Sequence, residues 1–269
     1  MHELAYAKLN LALHVRGREP DGYHRIETAF AFAEDGDRLE VAKGDGIGLE
    51  VVGPFAGDLA GGDNIVLTAA QALRERSGAR AGAALTLDKR LPVASGIGGG
   101  SADAAAALRL LNRWWSLGLA DEALAELARG LGADVPACLH SRSARGVGRG
   151  DRLEFADFGV AGASVLLVNP GVKLSTRSVF EGWNERDGGR LGDPRAGRND
   201  LEAPARALVP AIGDVLEALA SDGYPAMVRM SGSGATCFAL YRSPADRDSS
   251  SRRIRAFHPG WWQLQSRLR

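Results

Sequence analysis

The chain has 269 residues, enough for one large or two medium-sized domains. Its 33 basic and 33 acidic side chains give a formal net charge of zero, which argues against a general nucleic-acid or membrane-surface binder. No apolar run is long enough to cross a bilayer, and the alternating N-terminus lacks the pattern of a signal peptide. We therefore expect a cytoplasmic protein that binds neither nucleic acid nor membranes.

Two alternating segments open the chain. Residues 4–15 place apolar side chains on one face and Lys8 and Asn10 on the other, which predicts a half-buried strand. A turn follows at EPDG, residues 19–22, and a second alternating run starts at Ile26. The pattern predicts a hairpin, with Tyr23 and His24 where the chain re-enters the sheet. The chain has only four lysines, so a lysine within an apolar strand is a candidate for chemistry that needs a compact ammonium.

The middle of the chain contains residues that typically start and end helices. Residues 63–78 begin with Asp-Asn and end with Gly, and residues 121–131 begin with Asp and are followed by Gly132. A short strand is expected at 85–87 and a helix from Ser101 to about Trp114. The sequence Asp134-Val135-Pro136 suits the start of another helix, because Pro is tolerated in the first turn.

A change of composition then predicts a domain boundary. Residues 141–152 are rich in Gly, Ser and Arg and show no apolar periodicity, so we place the boundary near residue 155, between domains 1–155 and 156–269. Residues 186–198 predict an irregular, mobile loop. The second domain should contain a helix at 208–219 and a terminal helix and short strand. Its other predicted strands are 163–168, 226–230 and 236–241.

The most informative segment is PVASGIGGGSADAAAAL, residues 92–108. Glycine has no Cβ, so backbone N–H groups can approach a polyanion, and the start of the following helix adds unpaired donors and positive potential. Ser101 could cap that helix, contact a phosphate or ligate Mg²⁺. The run is neither a Walker loop, since no Gly-Lys-Ser/Thr follows, nor a clean dinucleotide fingerprint. The alternative is a flexible turn followed by an ordinary helix cap.

This glycine run resembles the ATP-binding motif of the GHMP kinases, which include galactokinase, homoserine kinase and mevalonate kinase. AKLNLALHVRGREPDGYH (7–24) and LGADVPAC (131–138) resemble the 4-diphosphocytidyl-2-C-methyl-D-erythritol kinase family within that superfamily. RMSGSGATCFALY (229–241) resembles the C-terminal glycine motif, and NPGVKLSTRSVF (169–180) and RNDLE (198–202) also fit. Two places depart from the family pattern: Ser-Ala at 101–102, and GVGRGD at 146–151.

The resemblance implies an α+β, two-lobed GHMP kinase fold. An N-terminal α/β lobe would carry the glycine-rich phosphate loop, and the C-terminal lobe would be ferredoxin-like. The implied cofactors are ATP and Mg²⁺, and the implied substrate is a cytidine diphosphate-linked methylerythritol of the non-mevalonate isoprenoid pathway, phosphorylated on its 2-hydroxyl. The implied nucleotide-binding residues are Pro92, Val93, Ala94, Ser95, Gly96, Ile97, Gly98, Gly99, Gly100, Ser101 and Ala102.

The resemblance also assigns roles. Asp134 would be the general base and Lys8 its charge partner, whereas spacing alone favours a helix-capping Asp134 and a solvent-facing Lys8. Ser231-Gly232-Ser233-Gly234 would lie near the phosphates, the alternative being a tight hairpin. The residues expected to line the substrate pocket are Asn10, Tyr23, His24 and Thr176, with Tyr23 and His24 gripping the cytosine.

Two rival functions remain at this point. The first is another GHMP kinase, acting on homoserine, mevalonate or a sugar. The second is a non-enzymatic protein of the same fold, which nothing in the sequence favours because both members of the proposed catalytic pair are present. Comparing the turnover of the cytidine-containing alcohol, homoserine and mevalonate would test the first rival. ATP binding without phosphoryl transfer to any of these alcohols would support the second.

Overall fold

A computed structural model describes residues 1–59 and 63–269 of the chain. It divides into two compact units. The first unit comprises Met1–Ala7, Asp35–Val93 and Gly98–Ser141, and the second comprises Lys8–Glu34, Ala94–Ile97 and Arg142–Arg269. The long strands β1 (His2–Arg18) and β2 (His24–Ala42) contribute residues to both units. Within the described ranges no helix is long and apolar enough to span a membrane.

In the first unit, helices are combined with part of a sheet. Strand β3 (Ile47–Val52) pairs in parallel with β4 (Ala83–Asp88), and β4 pairs antiparallel with the C-terminal end of β2. The Asn64 side chain caps α1 by accepting from the Val66 amide at 2.9 Å, and Gly78 ends that helix in the left-handed conformation. The unit's described α-helices are α1 (Ile65–Ser77), α2 (Gly99–Trp114), α3 (Asp121–Leu131) and α4 (Val135–His140), and a short 3-10 helix covers Ala56–Leu59.

The second unit holds two groups of strands. Strand β5 (Ala144–Gly148) pairs with the N-terminal part of β2 and with β6 (Arg152–Phe155). A separate antiparallel sheet has the order β10-β7-β9-β8, and apolar side chains of β7 and β9 form its core with those of α7 and α8. These elements are β7 (Ser164–Asn169), α5 (Thr176–Glu181), α6 (Glu202–Leu208), α7 (Ala211–Ala220), β8 (Met227–Met230), β9 (Cys237–Tyr241), α8 (Pro244–Phe257) and β10 (Trp262–Arg267).

The structure confirms the predicted hairpin, the middle helices and the strands on either side of Ser231, and it differs from or adds to the expectations in four places. Residues 141–152, which show no apolar periodicity, hold β5 and the start of β6. Strand β3 and helices α5 and α6 were not predicted. The helix expected from residue 208 begins at Ala211. Strand β1 is buried on both faces from Ala7 to Val15 instead of on one. The domain boundary near residue 155 stays a prediction.

Residues 186–198 form no regular element, as predicted, but polar and apolar contacts tie this segment to its own unit. Arg145 donates to the carbonyls of Leu191 and Gly192 at 2.9 and 2.7 Å, and the Leu191 side chain is buried. His14 Nδ1 lies 3.0 Å from the Gly189 carbonyl. These contacts fix the middle of the segment at several points.

Candidate active site

Helix α2 begins directly at the glycine run in the first unit. Gly98 is its N-cap, with a left-handed φ of 65°, and the Ala102 amide donates to the Gly98 carbonyl at 2.8 Å. The first amides of a helix have no partner within the helix, and the helix dipole makes this end attractive to anions. Because Gly98 occupies the cap position, Ser101 is not the N-cap, and that alternative for its hydroxyl is wrong. Ser101 lies half-buried in the first turn.

A buried cluster of three charged side chains lies behind this helix start. The Lys89 Nζ donates to Asp37 Oδ2 at 2.5 Å and to Asp103 Oδ2 at 2.6 Å, and all three side chains are at most 3 % exposed. Burial raises the pKa of the Asp103 carboxyl to about 7; the Lys89 ammonium opposes that shift and Asp37 adds to it. Burial acts to lower the pKa of Lys89, but the two carboxylates outweigh it and raise that pKa.

Asp134 lies at the start of α4, also in the first unit. Its carbonyl accepts from the Cys138 amide at 3.1 Å, so its backbone begins the helix. Among the described residues, its side chain accepts no capping hydrogen bond from the helix amides. The helix-cap alternative for this half-buried carboxylate is therefore wrong, and its role as general base stays a prediction.

Lys8 heads a buried polar relay in the second unit. Its Nζ donates to Asn10 Oδ1 at 2.8 Å, and Asn10 Nδ2 donates to Thr28 Oγ1 at 2.7 Å. Thr28 in turn donates to the Ala12 carbonyl at 2.8 Å, and Lys8 Nζ lies 5.3 Å from the centre of the Phe30 ring. Lys8 is only 3 % exposed, so the expectation of a solvent-facing lysine is wrong. A buried ammonium is costly unless it is paired, and the Asn10 side chain supplies a partner here.

The first half of the glycine run packs against the Ser231–Gly234 turn, and both segments belong to the second unit. The Ser231 hydroxyl donates to the Gly96 carbonyl at 3.0 Å and accepts from the Asn10 amide at 3.1 Å. The Thr236 amide donates to the Ser95 carbonyl at 3.1 Å. The turn is therefore more than an isolated hairpin connection, since it fixes the backbone at Ser95 and Gly96.

Gly96 is the residue at which this contact is tightest. Its φ is +78°, and a Cβ placed there would lie 2.7 and 2.8 Å from the Gly234 carbonyl oxygen and amide nitrogen, and closer still to the Ser231 carbonyl oxygen. We expect Gly96→Ala to lower the free energy of unfolding by about 3 kcal/mol or more, because backbone strain and backbone overlap add. Urea denaturation measures this loss.

Gly159→Ala is the matched control. Gly159 has a similar φ of +64°, but a Cβ there would meet nothing within 4 Å. It should cost only the strain of a left-handed alanine, about 1 kcal/mol. Equal losses for the two variants would show that the packing at Gly96 is loose.

Aromatic side chains surround the predicted substrate residues of the second unit. The His24 ring stacks on Phe180 with centroids 4.8 Å apart and meets Trp183 edge-on at 5.7 Å. Burial, followed by the charge of Arg18, lowers the pKa of His24 below its usual 6.5. His24 is therefore neutral at pH 7, in an environment suited to holding a flat ring.

Tyr23 and Thr176 have partners that the sequence did not reveal. The Arg149 guanidinium lies 3.9 Å from the centre of the exposed Tyr23 ring and pairs with Asp21. Thr176 Oγ1 and Ser233 Oγ are 2.9 Å apart, which links α5 to the second glycine turn. Sequence reasoning missed Phe180, Trp183 and Arg149. Phe180 ends a motif that had been noticed, and Arg149 lies in the GVGRGD departure, which was the available signal.

Models of known protein families match two separate parts of the chain. A model of the GHMP kinase N-terminal domain matches residues 64–142, and one of the GHMP kinase C-terminal domain matches residues 180–260. The chain belongs to the GHMP kinases. The predicted α+β, two-lobed GHMP kinase fold is thereby confirmed, and the chain is an ATP-dependent phosphotransferase, which removes the non-enzymatic rival.

Several similar proteins, by sequence and by structure, carry the name of one particular GHMP kinase. The 4-diphosphocytidyl-2-C-methyl-D-erythritol kinase of Rhizorhabdus wittichii is 55 % identical over 99 % of this chain and 94 % of its own length. The kinase of that name from Sphingopyxis alaskensis is 48 % identical over 100 % and 99 %. A crystal structure of 4-(cytidine 5'-diphospho)-2C-methyl-D-erythritol kinase matches with a TM-score of 0.84 at 33 % identity, covering 100 % of this chain and 99 % of that one. The family resemblance drawn from the sequence is therefore confirmed.

More distant structures share the fold alone. Homoserine kinase from Cytophaga hutchinsonii superposes with a TM-score of 0.73 at 18 % identity, covering 98 % of this chain and 95 % of that chain. Identity this low carries no information about substrate. This similarity shows a shared fold and does not identify the alcohol that this chain phosphorylates.

Proposed function

We propose that this chain transfers the γ-phosphoryl group of ATP to the 2-hydroxyl of 4-diphosphocytidyl-2-C-methyl-D-erythritol, a step of the non-mevalonate isoprenoid pathway. The observation that carries the proposal is the 55 % identity, along nearly the whole chain, to a kinase named for that substrate. The aromatic neighbours of the neutral His24 ring support it, since a flat base such as cytosine is bound by stacking and edge hydrogen bonds. We propose that this reaction takes place in the cytoplasm.

The proposed ATP site is the segment from Pro92 to Ala102. The backbone amides at the start of α2 are its phosphate donors, because glycine lets them approach the polyanion. Mg²⁺ would neutralise charge on the phosphates, with the Ser101 hydroxyl as its proposed protein ligand. In the described part of the chain no three acidic, His or Cys groups cluster to hold a metal. Mg²⁺ is commonly held by one or two protein groups together with phosphate oxygens and water, so a single protein ligand is enough.

In the proposed reaction, the substrate oxygen attacks the γ-phosphorus while the bond from that phosphorus to the β–γ bridging oxygen breaks. ADP leaves with the electron pair, and the hydroxyl proton passes to the Asp134 carboxylate. The Lys8 ammonium, as charge partner, steadies negative charge on the attacking oxygen. The buried relay through Asn10 and Thr28 supports this role, because it fixes the position of the ammonium.

The proposed substrate residues are Asn10, Tyr23, His24 and Thr176. Tyr23 is 55 % exposed and so accessible to a base, with Arg149 packed on its ring, while Phe180 stacks on His24 and limits its rotation. Thr176 shares a hydrogen bond with Ser233, so its hydroxyl is held in one orientation.

The decisive experiment compares acceptors. Purified protein is supplied with Mg-ATP and, separately, with the cytidine-containing alcohol, homoserine, mevalonate and galactose, and ADP release is followed together with the mass of the product. We expect turnover of the cytidine-containing alcohol at least 100-fold above the others, as a rough estimate for a site that hydrogen-bonds a specific base. Preferred turnover of homoserine, mevalonate or galactose would refute the proposed substrate.

The lowered pKa of His24 predicts a specific pH dependence. Because burial keeps this imidazole neutral, KM for the cytidine substrate should be constant from pH 8 to pH 7 and should rise as pH falls below 6.5, where protonation begins. KM for ATP should not follow this profile. Steady-state kinetics between pH 5 and pH 8 measure both constants.

His24→Gln should remove the acid limb of the profile, whereas His258→Gln, which alters a histidine stacked on Trp261, should retain it. A wild-type KM for the cytidine substrate that is flat down to pH 5 would argue against contact between His24 and the base.

A further inference from the structure

The buried Asp37–Lys89–Asp103 cluster lies at both ends of the proposed ATP segment. Asp37 Oδ1 accepts from the amides of Arg90 and Leu91 at 2.6 and 2.8 Å, and these are the two residues before Pro92. Asp103 is the residue directly after Ala102. Lys89 joins the two carboxylates through a single ammonium. The Lys89 ammonium therefore connects the residues just before segment 92–102, through Asp37, with Asp103 just after it.

The charge count of this cluster is unfavourable for stability alone. Two carboxylates share one ammonium, and all three groups are removed from water. Asp103 Oδ1 is moreover buried without a hydrogen-bond partner among the described residues. The ammonium has three donors and can bind both carboxylates, but each buried carboxylate adds a desolvation cost that the single positive charge offsets only in part. Departures from good packing and pairing are characteristic of functional sites.

The surroundings of Lys89 Nζ connect the cluster with the helix start. A Cβ placed on Gly99 would lie 3.0 Å from this nitrogen, so the ammonium packs directly beneath the first residue of α2. Side chains on a helix lean toward its N-terminus, which brings the Asp103 carboxylate back toward the same turn. The ammonium is thus held under the amides that are proposed to meet the phosphates.

We propose that Asp37, Lys89 and Asp103 are positioning residues, which clamp the two ends of segment 92–102 and hold its backbone amides ready for the phosphates of ATP. The inference rests on the proposed ATP-binding role of that segment. None of the three side chains needs to touch the nucleotide, because the cluster acts through the backbone that it holds.

Asp103→Ala is the informative variant. It leaves a neutral Lys89–Asp37 pair, so it removes the clamp without leaving an unpaired buried charge. We expect the protein to fold, while Kd and KM for ATP rise about tenfold because the amides are no longer held in place. KM for the alcohol acceptor should stay within about twofold. Calorimetry with a non-hydrolysable ATP analogue, together with steady-state kinetics, measures these values.

Two comparisons separate positioning from a general loss of structure. Asp103→Asn retains an oxygen that accepts from Lys89, so it should restore ATP affinity to within about threefold of wild type. Asp121→Ala removes an exposed carboxylate from the first turn of α3 and should leave ATP affinity unchanged.

The outcomes are distinct. A folded Asp103→Ala protein that binds ATP as wild type does would overturn the inference, and wild-type protein that does not bind ATP would overturn the proposed function. If Asp103→Ala does not fold, Asp37→Asn applies the same test. Its oxygen can still accept from Arg90 and Leu91, but its amide opposes the Lys89 ammonium. The same tenfold loss is expected there, and unchanged ATP affinity would again overturn the inference.

Discussion

Asp134→Asn should lower turnover by about two decades or more while ATP affinity stays within about twofold of wild type. Asparagine matches aspartate in size and still accepts hydrogen bonds, but it cannot take up the proton of the attacking hydroxyl. The Asp134 side chain makes no capping hydrogen bond to α4, so its replacement should leave the start of this helix intact. Single-turnover kinetics and calorimetry with an ATP analogue separate the chemical step from nucleotide binding.

Asp121→Asn is the control for this variant, because it makes the same substitution at the start of the preceding helix, on an exposed side chain. It should leave turnover unchanged. Undiminished turnover in Asp134→Asn would show that this carboxylate is not the general base, whereas a parallel loss of ATP affinity would point to a damaged fold.

Lys8→Met should reduce turnover by a similar factor, about two decades, and should also raise KM for the alcohol. Methionine fills a comparable volume but removes the buried ammonium and leaves Asn10 Oδ1 without its donor. An unsatisfied buried acceptor costs about 1–3 kcal/mol, so a lower melting temperature is expected as well. Kinetics should therefore be measured well below the melting temperature of the variant.

The control for Lys8 is Lys43→Met, which removes an exposed ammonium. It should change neither turnover nor KM beyond about twofold. If Lys8→Met loses stability but turns over at the wild-type rate at low temperature, the ammonium serves folding and takes no part in the reaction.

Local signals explain what could be predicted about the fold. Asn64 and Gly78 bracket α1 because a side-chain cap and a left-handed residue act within a few positions of each other. The glycines before α2 likewise predict a helix N-terminus whose backbone amides can bind an anion. The proposed functional residues came from motif resemblance, and their local surroundings are consistent with that assignment.

Non-local contacts explain the rest. Strand β5 has glycines and arginine where strands normally carry β-branched residues, and it forms because Ile26–Phe30 supplies its hydrogen-bond partners. The burial of Lys8 escaped prediction, since alternation reveals one covered face and cannot show that the other is covered too. The partners of Lys89 are 52 and 14 residues away, which no pattern within a window of the sequence can join.

The fit between Gly96 and the Ser231–Gly234 turn has a consequence for protein engineering. The two stretches are 135 residues apart, yet neither leaves the other room for an added methyl group. A loop grafted from another kinase into one stretch would therefore meet a surface shaped for its former partner. Swaps and library designs should treat the two segments as a single cassette, exchanged together.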